Sequence, residues 1–104
     1  MIFDDYEPCY VISIAAKIIG VHAQTLRYYE KEGLVEPSRS QGRVRLYSKR
    51  DIDRLRQIKT LVNDLGVNLA GVEVILRLNE RIAEMERQIQ ETELEIKRLK
   101  EAGL

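Results

Sequence analysis

The 104-residue chain is 33% charged, with 17 Lys/Arg against 17 Asp/Glu, and only 6% aromatic, with no Trp and one Phe. That composition fits one small helical domain, or a small domain with an appendage, and leaves too little apolar mass for a large catalytic cavity. With one Cys, one His, no apolar run able to span a bilayer and no basic leader-like start, an internal disulfide, a cysteine metal pair and a membrane span are not expected, and the cytoplasm is the expected location.

The zero net charge hides an asymmetry along the chain. Residues 1–9 carry three acids and no base, residues 10–60 eleven Lys/Arg against five Asp/Glu, and residues 61–104 six against nine. A basic block followed by an acidic one points to an anionic partner for the first block only. Solvated charge on a helical surface gives similar totals, so the elements have to decide.

Residues 1–9 read as a polar tail. Ser13 is the expected N-cap of a short helix, "IAAKIIG", which closes at Gly20 where a left-handed residue ends a helix. After a tight turn through Val21 and His22, a second helix is expected from Ala23 to Glu32, stopped by Gly33. Leu26 and Tyr29 share one face of it, and Gln24, Arg27, Tyr28 and Lys31 lie toward the other. In "LVEPSRSQGRVRLYS", Pro37 and Gly42 exclude a helix while Val44, Leu46 and Tyr47 favour strand. Two short strands with a turn around Ser38–Gly42 fit, decorated by Arg39, Arg43 and Arg45.

"SKRD" supplies a capping signature, Ser48 with Asp51 three residues on. The helix behind it carries Ile52, Leu55, Ile58, Leu61, Val62 and Leu65 at helical spacing up to Gly66. Asn68 caps a fourth helix holding Leu69, Val72, Ile75 and Leu76, which either runs on or breaks near Arg77–Glu80. From Leu78 the period changes. Leu78, Ile82, Met85, Ile89, Thr92, Ile96 and Leu99 alternate by four and three, a heptad seam flanked by Glu, Arg, Gln and Lys. A narrow stripe of that length calls for another stripe, hence a dimeric coiled coil, with Thr92 its weak point.

No catalytic, cofactor or metal constellation is present in this pattern: there is no G-x-S-x-G, phosphate loop or H-E-x-x-H. An enzyme is therefore not expected. A helix–turn–helix is. Ala16, Gly20 and Leu26 stand where that motif needs a small residue, a turn glycine and an apolar anchor. Its second helix projects an outer face into a major groove, with early side chains near base edges and later ones near phosphates. Arg27 and Tyr28 sit where charge and hydroxyl clamp a DNA backbone, Tyr29 packs beside Leu26, and the basic hairpin forms a wing.

The stretch "SIAAKIIGVHAQTLRYYEKEGLVEPSRSQGRVRLYSKRDIDRLRQI" resembles the DNA-binding domain of the MerR family of bacterial transcription regulators. T-L-R-Y-Y-E, then G-L-V-x-P-x-R, then R-x-Y-S-x-x-D-I carry the resemblance, which covers Ile12 to about Leu78. "VHAQTLR" and "LGVNLAGVEVIL" are similar to the family's heat-shock repressor branch, HspR. The implied fold is mainly α: a winged helix–turn–helix domain over residues 10–78, then a dimerisation helix over 79–104 forming an antiparallel coiled coil through Leu78, Ile82, Met85, Ile89, Ile96 and Leu99. The resemblance implies base readout by Ala23, Gln24 and Arg27. It implies phosphate contacts from Thr25, Tyr28, Arg43, Arg45 and Tyr47, although core packing beneath the wing explains Tyr47 equally well. Gln24 pairs with adenine and Arg27 with guanine by the usual bidentate geometry.

Two positions depart from the family pattern. His22 stands where many members have a Ser or Asp cap, and Arg43 replaces a smaller wing residue. Cys9 reads as a small hydrophobe at the domain edge. With the chain ending at Leu104 and no cysteine beyond Cys9, no small-molecule receptor is expected. The expected function is a homodimeric repressor of heat-shock and chaperone genes that binds an inverted repeat in double-stranded DNA and blocks RNA polymerase. In the heat-shock branch the DnaK chaperone is the implied co-repressor. The alternatives are a MerR-type activator that distorts a promoter spacer, and a coiled-coil adaptor that binds protein.

Overall fold

The computed structural model describes Asp5, residues 7–40 and residues 42–103. Most of the tail expected over residues 1–9 (residues 1–4 and 6), together with Gln41 of the wing turn and Leu104, lies outside the described residues. Two units result, residues 1–68 and residues 69–104.

In the first unit a two-residue strand, β1 (Tyr10–Val11), leads straight into helix α1 (Ile12–Ile19). That corrects the expected cap. Val11 is the N-cap, in extended conformation and without a side-chain cap bond, because the residue before the helix is still paired in a sheet. Ser13 is already inside the helix. The C-terminal signal reads correctly. Gly20 sits at φ 85°, and its N–H and that of Val21 return to the Ala16 carbonyl at 2.8 and 3.0 Å. A side chain there would be strained by that φ and would meet the Lys59 ammonium at 3.1 Å.

Helix α2 (Ala23–Lys31) follows after Gly20, Val21 and His22, with Glu32 at its C-cap. The hairpin is β2 (Ser38–Arg39) and β3 (Arg45–Tyr47). The sheet has three strands in the order β1-β3-β2, all antiparallel, with Tyr10 opposite Tyr47 and Arg39 opposite Arg45. The Cys9 N–H extends the β1 edge to the Tyr47 carbonyl at 3.1 Å. Helix α3 (Lys49–Lys59) starts on a complete capping box: Ser48 Oγ accepts from the Asp51 N–H at 3.1 Å, and Asp51 Oδ2 from the Ser48 N–H at 2.9 Å.

After α3 the chain makes a π-helical turn, Thr60–Asp64, closed by the Leu65 N–H on the Thr60 carbonyl at 3.1 Å. The wider turn rotates the apolar stripe out of phase. Leu65, expected to continue the buried face, is 66% exposed. The core of this unit is Ala15, Ala16 and Ile19 of α1, Leu26 and Tyr29 of α2, Leu34, Val35 and Tyr47, and Ile52, Leu55 and Ile58 of α3. Two α3 cations tie it together: Lys59 Nζ donates to the Ile19 carbonyl at 2.9 Å and Arg54 Nε to the Leu34 carbonyl at 2.6 Å. The first places a positive charge at the α1 C-terminus, where the helix dipole favours it.

The second unit is one helix, α4 (Leu69–Glu101), with no break near Arg77–Glu80. Its 33 residues span about 50 Å. Val72 and Leu76 are buried, and from Arg77 onward every described residue is exposed.

Candidate nucleic-acid interface

Two buried anchors orient α2. Leu26 is fully buried and Tyr29 is 5% exposed, so the 100° step between residues places Gln24, Arg27, Tyr28 and Lys31 outward, and all four are exposed. Ala23 and Thr25 are half-buried at the helix start. His22 occupies the N-cap in extended conformation and makes no side-chain cap bond; its carbonyl accepts from the Thr25 N–H at 2.9 Å. Gln24 Oε1 accepts from Arg27 Nη1 at 3.2 Å, which pre-orders these two side chains relative to each other. Tyr28, 48% exposed, tilts at 42° to the Tyr29 ring with centroids 6.2 Å apart.

The wing turn is held by the Arg43 N–H on the Ser40 carbonyl at 2.8 Å and the Ser40 N–H on the Val44 carbonyl at 3.0 Å. Arg43 adopts φ 62°, the sole left-handed non-glycine among the described residues, which costs a β-carbon-bearing residue about 1–2 kcal/mol. The exposed arginine is thus held at the hairpin tip at some cost in stability. Arg39 and Arg45 face each other across the two strands and converge on one acid, Glu30, in the last turn of α2. Arg39 Nη2 donates to Glu30 Oε1 at 2.7 Å and Arg45 Nε donates to Glu30 Oε2. Arg39 Nη1 also reaches the Arg43 carbonyl at 3.3 Å.

Tyr47 resolves toward the core. It has no exposed surface, and its hydroxyl has no hydrogen-bond partner among the described residues. Burial first, then the negative charge of Glu30, pushes its phenol pKa above the ordinary value. A side chain with no surface does not reach a phosphate, so this wing candidate is a packing residue beneath the sheet.

Sequence reasoning singled out the arginines of this surface but missed Glu30. The signal was an acid inside the basic block, one residue after a buried tyrosine. Its two partners lie nine and fifteen residues away, beyond any local pattern.

On α4, taken by itself, Leu78, Ile82, Met85, Ile89, Ile96 and Leu99 form a stripe whose members are 44 to 56% exposed. Thr92 interrupts it, but its hydroxyl donates to the Gln88 carbonyl at 2.9 Å and so brings no unsatisfied donor to an apolar face. The flanks are charged. Arg87 bridges Glu84 and Glu91, and Arg77 pairs with Glu73 at 2.9 Å. The hydrogen bond from Arg87 lowers the Glu84 pKa, and Glu84 chiefly raises that of Arg87.

Among the described residues, no group of three or more His, Cys, Asp or Glu is placed to hold a metal ion, and no helix is long and apolar enough to cross a membrane. Cys9 is exposed and free.

The MerR HTH family regulatory protein model matches residues 10–79. The chain is 52% identical over 79 residues to a putative heat shock protein HspR of Streptomyces coelicolor, a match that covers 76% of this chain and about half (52%) of that relative's length. It is 37% identical over 93 residues to the HTH-type transcriptional regulator GlnR of Bacillus anthracis, covering 84% of this chain and 71% of the relative. Among solved structures, it is similar to HiNmlR, a MerR family regulator lacking the sensor domain, bound to promoter DNA. That likeness has a TM-score of 0.60 at 27% identity, over 88% of this chain and 75% of the other.

Proposed function

The chain belongs to the MerR family of helix–turn–helix regulatory proteins, and from that premise we propose that it is a sequence-specific DNA-binding transcriptional regulator without enzymatic activity. The observation that carries this reading is the outer face of α2, where Gln24, Arg27 and Tyr28 stand exposed beside a wing bearing three arginines. In the proposed complex α2 lies in the major groove. Arg27 donates its forked guanidinium to a guanine and Gln24 pairs with an adenine, Ala23 approaching the same base edges. Thr25, Tyr28 and Arg43 contact phosphates. Arg45 commits its Nε to Glu30 and offers its remaining nitrogens to the backbone.

The stripe on α4 supports a homodimer, because six half-exposed apolar side chains each gain on burial about half of the roughly 1.5–3 kcal/mol that burying a fully exposed one gives. Two copies joined antiparallel would read an inverted repeat. The 52% identity to a protein named as a heat shock protein supports a role in the heat-shock response; we propose further that the chain represses heat-shock and chaperone genes in the cytoplasm by excluding RNA polymerase, with the DnaK chaperone as co-repressor.

Selection of bound duplexes from a random library, followed by a salt titration on the winner, tests this. Each neutralised phosphate contributes a slope of about −0.9 in log K against log salt, so Arg43 and Arg45 of two protomers alone give about −3.6. A two-fold symmetric site with at least that slope is expected. Failure to enrich any sequence, with a flat salt response, would refute the reading. The spacing of the half-sites separates repression by occupancy from activation by spacer distortion.

A further inference from the structure

Glu30 has no place in the DNA contacts proposed above, yet it joins the recognition helix to both strands of the wing. Its side chain is 20% exposed, and its carboxylate receives Arg39 from β2 through one oxygen and Arg45 from β3 through the other. Those two arginines are direct cross-strand neighbours. Like charges opposite each other in an antiparallel pair destabilise it, and both lie on the short hairpin that must present Arg43. One carboxylate removes that repulsion and fastens both strands to the last turn of α2. Arg39 passes the constraint on to the tip through the Arg43 carbonyl.

We propose that Glu30 is a positioning residue for sequence discrimination: it fixes the wing against the recognition helix, so that phosphate contacts from the wing hold Gln24 and Arg27 in register over the bases. The inference rests on the reading of the chain as a sequence-specific DNA binder. Phosphate contacts set the register of a protein on the duplex, and base contacts discriminate only within that register. Glu30 itself, an anion beside the DNA backbone, opposes binding. Its removal therefore has opposite effects on two observables. Freed arginines reach phosphates on any duplex, while the base-reading side chains lose their fixed placement.

The experiment compares the full chain with Glu30→Gln and Glu30→Asp on the selected site and on a random duplex of equal length, each as a salt titration with a parallel thermal melt. For Glu30→Gln the random duplex is expected to bind at least as tightly as to the native chain, with a steeper salt slope. Preference for the selected site should fall about tenfold, the loss expected of one mismatched base pair. Glu30→Asp keeps the charge but is one methylene too short to span both arginines. It should lose the preference without gaining affinity for the random duplex. Preference retained within about twofold in both variants overturns the proposal. So does an equal fall on both duplexes with a lowered melting temperature, because that marks a purely structural carboxylate. If the glutamate variants do not fold, Arg39→Met removes one arm from a 42% exposed side chain and must lower the preference by more than its uniform loss of affinity. A native chain with no site preference would instead refute the DNA-reading premise.

Discussion

Replacement of Tyr47 by Phe separates the two roles that the sequence leaves open for this residue. The ring is wholly buried and its hydroxyl has no partner among the described residues. A buried hydroxyl without a hydrogen bond costs about 1–3 kcal/mol of desolvation. Phe keeps the ring and removes that cost, while the void left by one oxygen takes back a few tenths of a kcal/mol. The net expectation is a gain of about 1 kcal/mol at pH 7, which for a domain of this size is about 4–8 °C in the melting temperature. Urea and thermal denaturation measure it, at one protein concentration because the proposed dimerisation would couple to folding. DNA affinity should not change.

The pH dependence carries a second sign. The phenol pKa is raised in the folded chain, so the stability that goes with the neutral phenol is intact below about pH 10, the unfolded value. It is lost as pH rises through the folded value. The native protein should therefore fall further behind the Phe variant above that pH. A loss of 1 kcal/mol or more at pH 7 would refute the reasoning, since the hydroxyl would then have to be hydrogen-bonded. A fall in DNA affinity at unchanged stability would place Tyr47 on the DNA instead of in the core.

Three further substitutions test the remaining surfaces. Arg27→Ala should cost about 1–3 kcal/mol on the selected site and relax discrimination there; unchanged discrimination, read by competition binding, contradicts base readout. Arg43→Gly relieves a left-handed arginine at φ 62° and so should raise stability by up to about 1–2 kcal/mol. It should also flatten the salt slope by about one unit per protomer, and an unchanged slope would remove Arg43 from the phosphate contacts. Ile89→Asp puts a charge at the middle of the α4 stripe, where desolvation on pairing costs several kcal/mol. Sedimentation should show a monomer, and a persistent dimer would move the interface off this stripe.

What the sequence determined by itself is what the backbone decides within a few residues. The glycine close of α1 at Gly20, the Ser48–Asp51 box that starts α3, and the outward placement of Gln24 and Arg27 opposite Leu26 and Tyr29 all follow from helical geometry and local hydrogen bonds. So does the apolar stripe of α4, which recurs every three or four residues. The same locality explains the misses. Ser13 carries a cap signal, but the chain before it is committed to the sheet, and β1 at two residues has no period to read. A π-turn of five residues carries no apolar signature, yet it throws Leu65 out of the buried face.

Tertiary structure alone decided the rest. Tyr47 reads as DNA-facing or core-facing with equal right until α1 and α3 are seen to pack against its strand. Glu30 reads as one more helical acid until two arginines, nine and fifteen residues on, fold back onto its two oxygens. Cross-strand registry and convergent charge depend on pairs of residues far apart in the chain. No local spacing encodes such pairs, because their energy exists only once the intervening loop has closed.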